Sequence, residues 1–283
     1  MKPYHQGLAA AAAAAVSILA AAPPALAQER GSPEARKARS SVESYLAQKD
    51  KEFQGSDRAA QARGMGGRVT SLYNLLRDKG PFRDRRVVGG SAAEQDRVRD
   101  ALVRTTAYYL ASVGMDPDEV NRLQRDGLDP LAAGAAVIGG GATVYDSVVV
   151  SQIAVIATVT ANSASSGNGV DRQVGFRTDR VLKGSAPAPL TLTVPLPNPP
   201  ADAAVGEQYL LFLSTDFGSF RRAAWRPGND GALAQQLSPY KIESGRLTAT
   251  VPGQDAGGQS VADLDAFLSK HKAAFATAAN GGN

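Results

Sequence analysis

The chain has 283 residues, 43% of them hydrophobic, with 31 Lys and Arg against 27 Asp and Glu, 29 Gly, 16 Pro and no Cys. That composition excludes collagen-like, disulfide-scaffold and fully disordered chains, and the length gives one or two domains, each with room for a packed core. A formal net charge of +4 is too small to mark a nucleic-acid-binding protein.

Residues 1–27 read as a signal peptide. Lys2 and His5 form a short polar start, Leu8 to Ala22 is apolar or small throughout, and Ala25-Leu26-Ala27 supplies an Ala-x-Ala cleavage site. The apolar run is shorter than the roughly 20 residues that span a bilayer, and Pro23-Pro24 follows it, so no stable membrane span is expected after cleavage. The expected address is periplasmic or secreted. With no Cys, lipid attachment at the site is excluded, and the core must hold without disulfides in an oxidising compartment.

Residues 28–135 read as a helical region. They carry 19 Lys/Arg and 16 Asp/Glu, against nine of each in 136–255, so the charge is concentrated in this half. Val42, Tyr45, Leu46 and Phe53 share one helical face, and Val69, Leu72, Tyr73 and Leu76 repeat that spacing after a break at Gly64-Met65-Gly66-Gly67. Ser91-Ala92-Ala93-Glu94 is a capping box, with Val98, Leu102, Thr105 and Tyr109 behind it. Asp116-Pro117 and Asp129-Pro130 open two further helices, the second closed by Gly139-Gly140-Gly141. Three to five short helices in a small bundle are expected.

From Ala142 the period shifts towards two. Ile153 to Val159, Val174 to Leu182, Leu190 to Val194 and Tyr209 to Leu213 read as strands, and Lys241 to Glu243 with Arg246 to Val251 as a hairpin through Ser244-Gly245. Strands this close together, without helical pattern between them, predict an antiparallel barrel or sandwich over 142–255. Pro195 to Ala201, with four prolines, reads as a stiff extended connection, and Ser163 to Gly169 as a polar loop. A C-terminal helix is expected over 259–277, capped by Ser260, with Val261, Leu264, Phe267, Leu268 and Phe275 as its docking face. The fold class is therefore α+β: a helical N-terminal region, the barrel or sandwich, and a closing helix.

The strands carry a resemblance. Ser151 to Ala161, a strand ending in Val181-Leu182-Lys183-Gly184, and Gly206-Glu207-x-Tyr209-Leu210-Leu211-Phe212-Leu213 resemble exported bacterial proteins with a netrin/TIMP-like, OB-type barrel, over roughly residues 145–255. The resemblance implies an OB-like antiparallel β-barrel over 142–255 and an exported address; members of that group mostly have no assigned activity. TIMP-type inhibitors chelate a protease's metal through an N-terminal Cys, a mechanism this Cys-free chain lacks.

Counting residues constrains the chemistry. His5 leaves with the leader, so His271 is the remaining imidazole, and neither a Cys-His nucleophile nor a Cys/His zinc site is expected. No cofactor is expected. Carboxylate-only chemistry survives the count. Glu207 before its apolar strand, Lys183-Gly184 and His271 are read as turn, strand-end and solvated helix-end residues. The segment Phe217 to Arg226 interleaves Phe217, Phe220 and Trp225 with Arg221, Arg222 and Arg226, offering stacking faces and cations to a ligand. Strand alternation, with aromatics facing the core and arginines facing solvent, is the favoured reading, and the segment is the first choice if the chain binds a ligand. The expected function is a non-enzymatic envelope module recognising a protein or glycan partner. The alternatives are a carboxylate-dependent hydrolase of envelope polymers and a loop-based peptidase inhibitor.

Overall fold

The computed structural model describes residues 33–62, 64–82, 91–139, 141–164, 171–186, 188–196, 198–214, 234–251, 254 and 257–276. Among these, eight helices and one six-stranded antiparallel sheet make an α+β fold. The predicted leader, residues 1–27, lies outside the described residues, and no single described helix is long and apolar enough to cross a membrane.

Five helices form the N-terminal region: α1 (Pro33–Ala62), α2 (Gly66–Lys79), α3 (Ala92–Ser112), α4 (Pro117–Arg125) and α5 (Pro130–Gly139). The first is not short, running 30 residues. Val42, Leu46 and Phe53 bury the face that the spacing predicts, and Val69, Leu72 and Leu76 do so on α2. The break between them lies at Gly64-Met65, where the Met65 amide reaches back 2.8 Å to the Ala60 carbonyl. The capping signals hold: Ser91 and Glu94 cap each other's backbone at the start of α3. Asp116 accepts from the Glu119 amide at 2.9 Å, and Asp129 from those of Leu131 and Ala132. From Thr106 to Ser112, α3 is buried on every side and forms the bundle's centre.

The period change comes later than the sequence suggests, because Val144–Val150 is a sixth helix, α6, rather than part of a barrel. Valine favours strands only weakly against context. Here Thr143 and Asp146 form a capping box, with Thr143 N to Asp146 Oδ2 at 2.9 Å and Asp146 N to Thr143 Oγ1 at 3.2 Å. Val144 and Val148 then face the sheet, while Val149 and Val150 face the helical core.

The strands are β1 (Ile153–Ala164), β2 (Asp171–Lys183), β3 (Leu190–Pro195), β4 (Gln208–Ser214), β5 (Ala234–Glu243) and β6 (Arg246–Ala249), in the order β3-β2-β1-β4-β5-β6. The predicted barrel is not closed among the described residues. Register shifts in the β1–β2 and β4–β5 pairs coil the sheet. However, β3 covers only Asp171–Phe176 of its neighbour, and the outer edge of β6 is occupied from elsewhere. Leu247 N donates to Gln259 O at 2.9 Å and Val261 N to Gly245 O at 2.9 Å, so the approach to the last helices takes the place of a closing strand. The β5–β6 turn uses Ser244 at φ 51° and Gly245 at φ 77°, the positive-φ pair of a tight hairpin. The Pro-rich link after β3 is not extended either. Ala201 N to Asn198 O and Ala203 N to Pro200 O close successive turns, held by Asn162 Nδ2 on the Ala201 and Ala203 carbonyls.

Both sheet faces are covered. Ile153, Val155, Ala157 and Val159 join Phe176, Leu192, Leu211 and Leu213 on one face. Ala154, Ile156, Leu210, Phe212 and Tyr240 meet α6 and the C-terminal helices on the other. The predicted last helix is two, α7 (Val261–Lys270) and α8 (Lys272–Ala276), broken at His271. Ser260 and Asp263 cap the first.

Candidate functional site

The helical region presents a cleft of about 320 Å³ between α1 and α3, lined by Leu46, Asp50, Phe53, Asp96, Arg97, Asp100, Ala101 and Arg104. Helical spacing makes it. Leu46, Asp50 and Phe53 fall on one side of α1, and Asp96, Asp100 and Arg104 stack at intervals of four on α3. Leu46, Phe53 and Ala101 are buried and form the floor. Charged groups form the walls.

One end of the cleft is fixed. The Arg104 guanidinium lies 4.4 Å from the Phe53 ring centroid and donates to Asp57 Oδ2 at 2.6 Å. Tyr108, stacked on Phe53, donates its hydroxyl to the other oxygen of Asp57. Burial, and then the Asp57 carboxylate, push the Tyr108 phenol up to about 12, so it stays a donor at any ordinary pH. Tyr73 donates to Asp100 Oδ1, and that bond raises its pKa.

The mouth is looser. Asp50 and Arg97 approach only to 3.9 Å, with 66% and 61% of their side chains exposed, while Asp96 is tied at 2.6 Å to the more buried Arg99. Such exposed pairs contribute little to stability. The Asp50 carboxylate and the Arg97 guanidinium are therefore available to an incoming group.

The predicted ligand-binding residues Phe217, Phe220, Arg221, Arg222, Trp225 and Arg226 lie between β4 and β5, outside the described residues, as does 165–170 of the polar loop. Glu207 holds a turn: Oε2 accepts from Ala204 N at 3.0 Å and Tyr209 Oη at 2.8 Å, while Oε1 meets Lys241 Nζ at 2.6 Å. Lys241 above all, then Tyr209 and the Ala204 amide, hold its carboxyl below the usual range. His271 is not a solvated helix end. It is half-buried at the α7–α8 break, with Nδ1 3.0 Å from the Asp126 carbonyl. The described residues contain no group of three or more His, Cys, Asp or Glu placed to hold a metal.

Lys183 departs furthest from a simple strand end. It is buried, and Nζ donates to the carbonyls of Val149 at 2.6 Å and Val148 at 3.3 Å at the C-terminal end of α6. Desolvation pulls its pKa down to about 8, partly offset by the charge of Glu119.

The cleft was missed in the sequence because it joins residues 46–53 to 96–104, each of which alone reads as an ordinary solvated helix face. The signal present was the charge density of that half. No family model, curated protein or solved structure matches the chain.

Proposed function

We propose that this chain is an exported binding or adaptor module of the cell envelope, non-enzymatic, with a netrin/TIMP-like sheet region as its scaffold and the α1–α3 cleft as its recognition site. The observation that carries the reading is the mouth of that cleft: Asp50 and Arg97, both mostly exposed and held 3.9 Å apart, above an apolar floor. Mixed charge over a small apolar floor suits a protein segment that offers both signs and one anchoring side chain. A sugar ring would want an open aromatic face, and the Phe53 ring already carries the Arg104 guanidinium. A protein partner is therefore favoured over a glycan. The address rests on the apolar run and Ala-x-Ala site of residues 1–27.

The test is binding of the purified chain to envelope extract fractions, wild type against Asp50→Lys, Arg97→Glu and the double exchange. A captured protein lost with either single change and partly regained in the double exchange supports the reading. Retention by isolated envelope glycan instead, with no protein dependent on these positions, overturns it.

One observation favours a second reading. Asp50, Asp96 and Asp100 share the cleft, which gives a carboxylate-dependent hydrolase of envelope polymers the acidic groups it needs. Polymer hydrolysis lost in Asp96→Asn or Asp100→Asn would place the chain there.

A further inference from the structure

The short helix α8 covers a buried cation. Lys183 has its ammonium on the two last-turn carbonyls of α6, with no carboxylate within ion-pair distance among the described residues. The Phe275 ring of α8 lies over it, Nζ to centroid 5.9 Å. Helix C-terminal carbonyls favour a cation, but burying an ammonium without a counter-ion remains costly.

The cover is short and hinged. It is five residues long and follows a break at His271, whose backbone leaves the helical region at φ −110° and ψ 33°. Among its contacts, Arg122 Nη1 donates to Ala274 O at 2.7 Å, Ala274 is buried, Ala273 has a partner of its own, and Phe275 packs on the Phe267 ring and on the cores of both halves. His271 anchors the hinge through Asp126 O. The charged groups facing Lys183 across this junction are Glu119 and Arg122 of α4, themselves joined at 2.6 Å. The α8 side offers Phe275, and α6 its carbonyls.

We propose that α8 is a lid over Lys183 whose opening hydrates the ammonium and takes up a proton, so that the lid opens more readily as alkaline solution is brought towards neutrality. Arg122 recloses it by recapturing the Ala274 carbonyl. Glu119 and Arg122 act on the Lys183 ammonium with opposite sign, so the proton balance falls on Lys183.

The chain has no Cys, so Ala274→Cys places a single thiol on the buried face of the lid. Its labelling by a methanethiosulfonate reagent is measured from pH 7 to 10, each rate divided by that of the same variant unfolded in urea at the same pH. The normalised rate is expected to fall by tens of fold on going from pH 7 to 10. In a Lys183→Met background it is expected to be low and flat, and in Lys183→Arg, which keeps its charge, high and flat. A pH-independent rate in the Ala274→Cys chain overturns the proposal. So does the same slope surviving in either Lys183 background, and circular dichroism of each variant shows that the comparison is between folded chains.

Discussion

The Lys183 ammonium and the Val149 carbonyl oxygen meet at 2.6 Å, setting a buried cation on the end of α6 where the helical region joins the sheet. The contact ties β2 to α6, whose buried valines are divided between the helical core and the sheet core. Desolvation moves this lysine from its ordinary 10.5 to about 8. Between those values the unfolded chain binds the extra proton, so stability rises with pH across the window, by about 3 kcal/mol at full amplitude. Above about pH 10 the slope reverses, because Tyr45 and Tyr108, both held up at about 12 chiefly by burial, ionise first in the unfolded chain. Urea midpoints read from pH 7 to 11 are expected to peak between about 9 and 10. A Lys183→Met variant should lose the rising limb and be more stable than wild type at pH 7 by roughly 1–3 kcal/mol.

Gly184 follows that lysine at φ 72°, and a Cβ there would sit 2.5 Å from the Gln152 carbonyl oxygen. The clash is with backbone, which has little room to yield. Gly184→Ala is expected to cost about 2–4 kcal/mol, combining the positive φ with displacement of the start of β1. Thermal unfolding measures it, and a loss below about 0.5 kcal/mol would show that β1 moves freely.

Thr143→Ala removes the side-chain half of the box that starts α6. An expected loss of about 1 kcal/mol follows from one cap hydrogen bond, with Thr143→Ser restoring most of it. Chemical denaturation of the three chains gives the order wild type, serine, alanine.

At the cleft, Tyr108→Phe leaves Asp57 with Arg104 as its ion-pair partner. The expected loss is about 1 kcal/mol of stability. Charge exchange at the mouth is different: Asp50→Lys and Arg97→Glu should change stability by less than about 0.5 kcal/mol each, since both groups are largely hydrated already. Denaturation midpoints separate the two kinds of site.

Most of the α+β order was legible in the sequence because its signals are local. Capping pairs such as Ser91 with Glu94 and Ser260 with Asp263 act within one turn, and the Ser244-Gly245 hairpin needs only its own dihedrals. Helix α6 was misread although Thr143 and Asp146 carry the same capping signal, because the run Val148-Val149-Val150 imitates a strand. Its valines are apolar on all sides because they serve two cores at once. Barrel closure depends on what meets the edge of β6, and that partner, Gln259 to Val261, lies beyond the strand in sequence and carries no strand pattern. The burial of Lys183 is likewise set by α6 and α8, both distant in sequence. The candidate cleft was illegible for the same reason, since charge on either helix alone is indistinguishable from solvation.

Recognition through the α1–α3 cleft is read out by a photo-crosslinking amino acid placed at Asp50 or Arg97 of the full chain in cells, with the exposed Val205 as a control. One envelope protein is expected to crosslink from both cleft positions, to be absent from the control, and to be lost when the other cleft residue carries the opposite charge. Efficient activation with no protein captured from the cleft, or the same proteins captured from all three positions, would rule the cleft out as the recognition site.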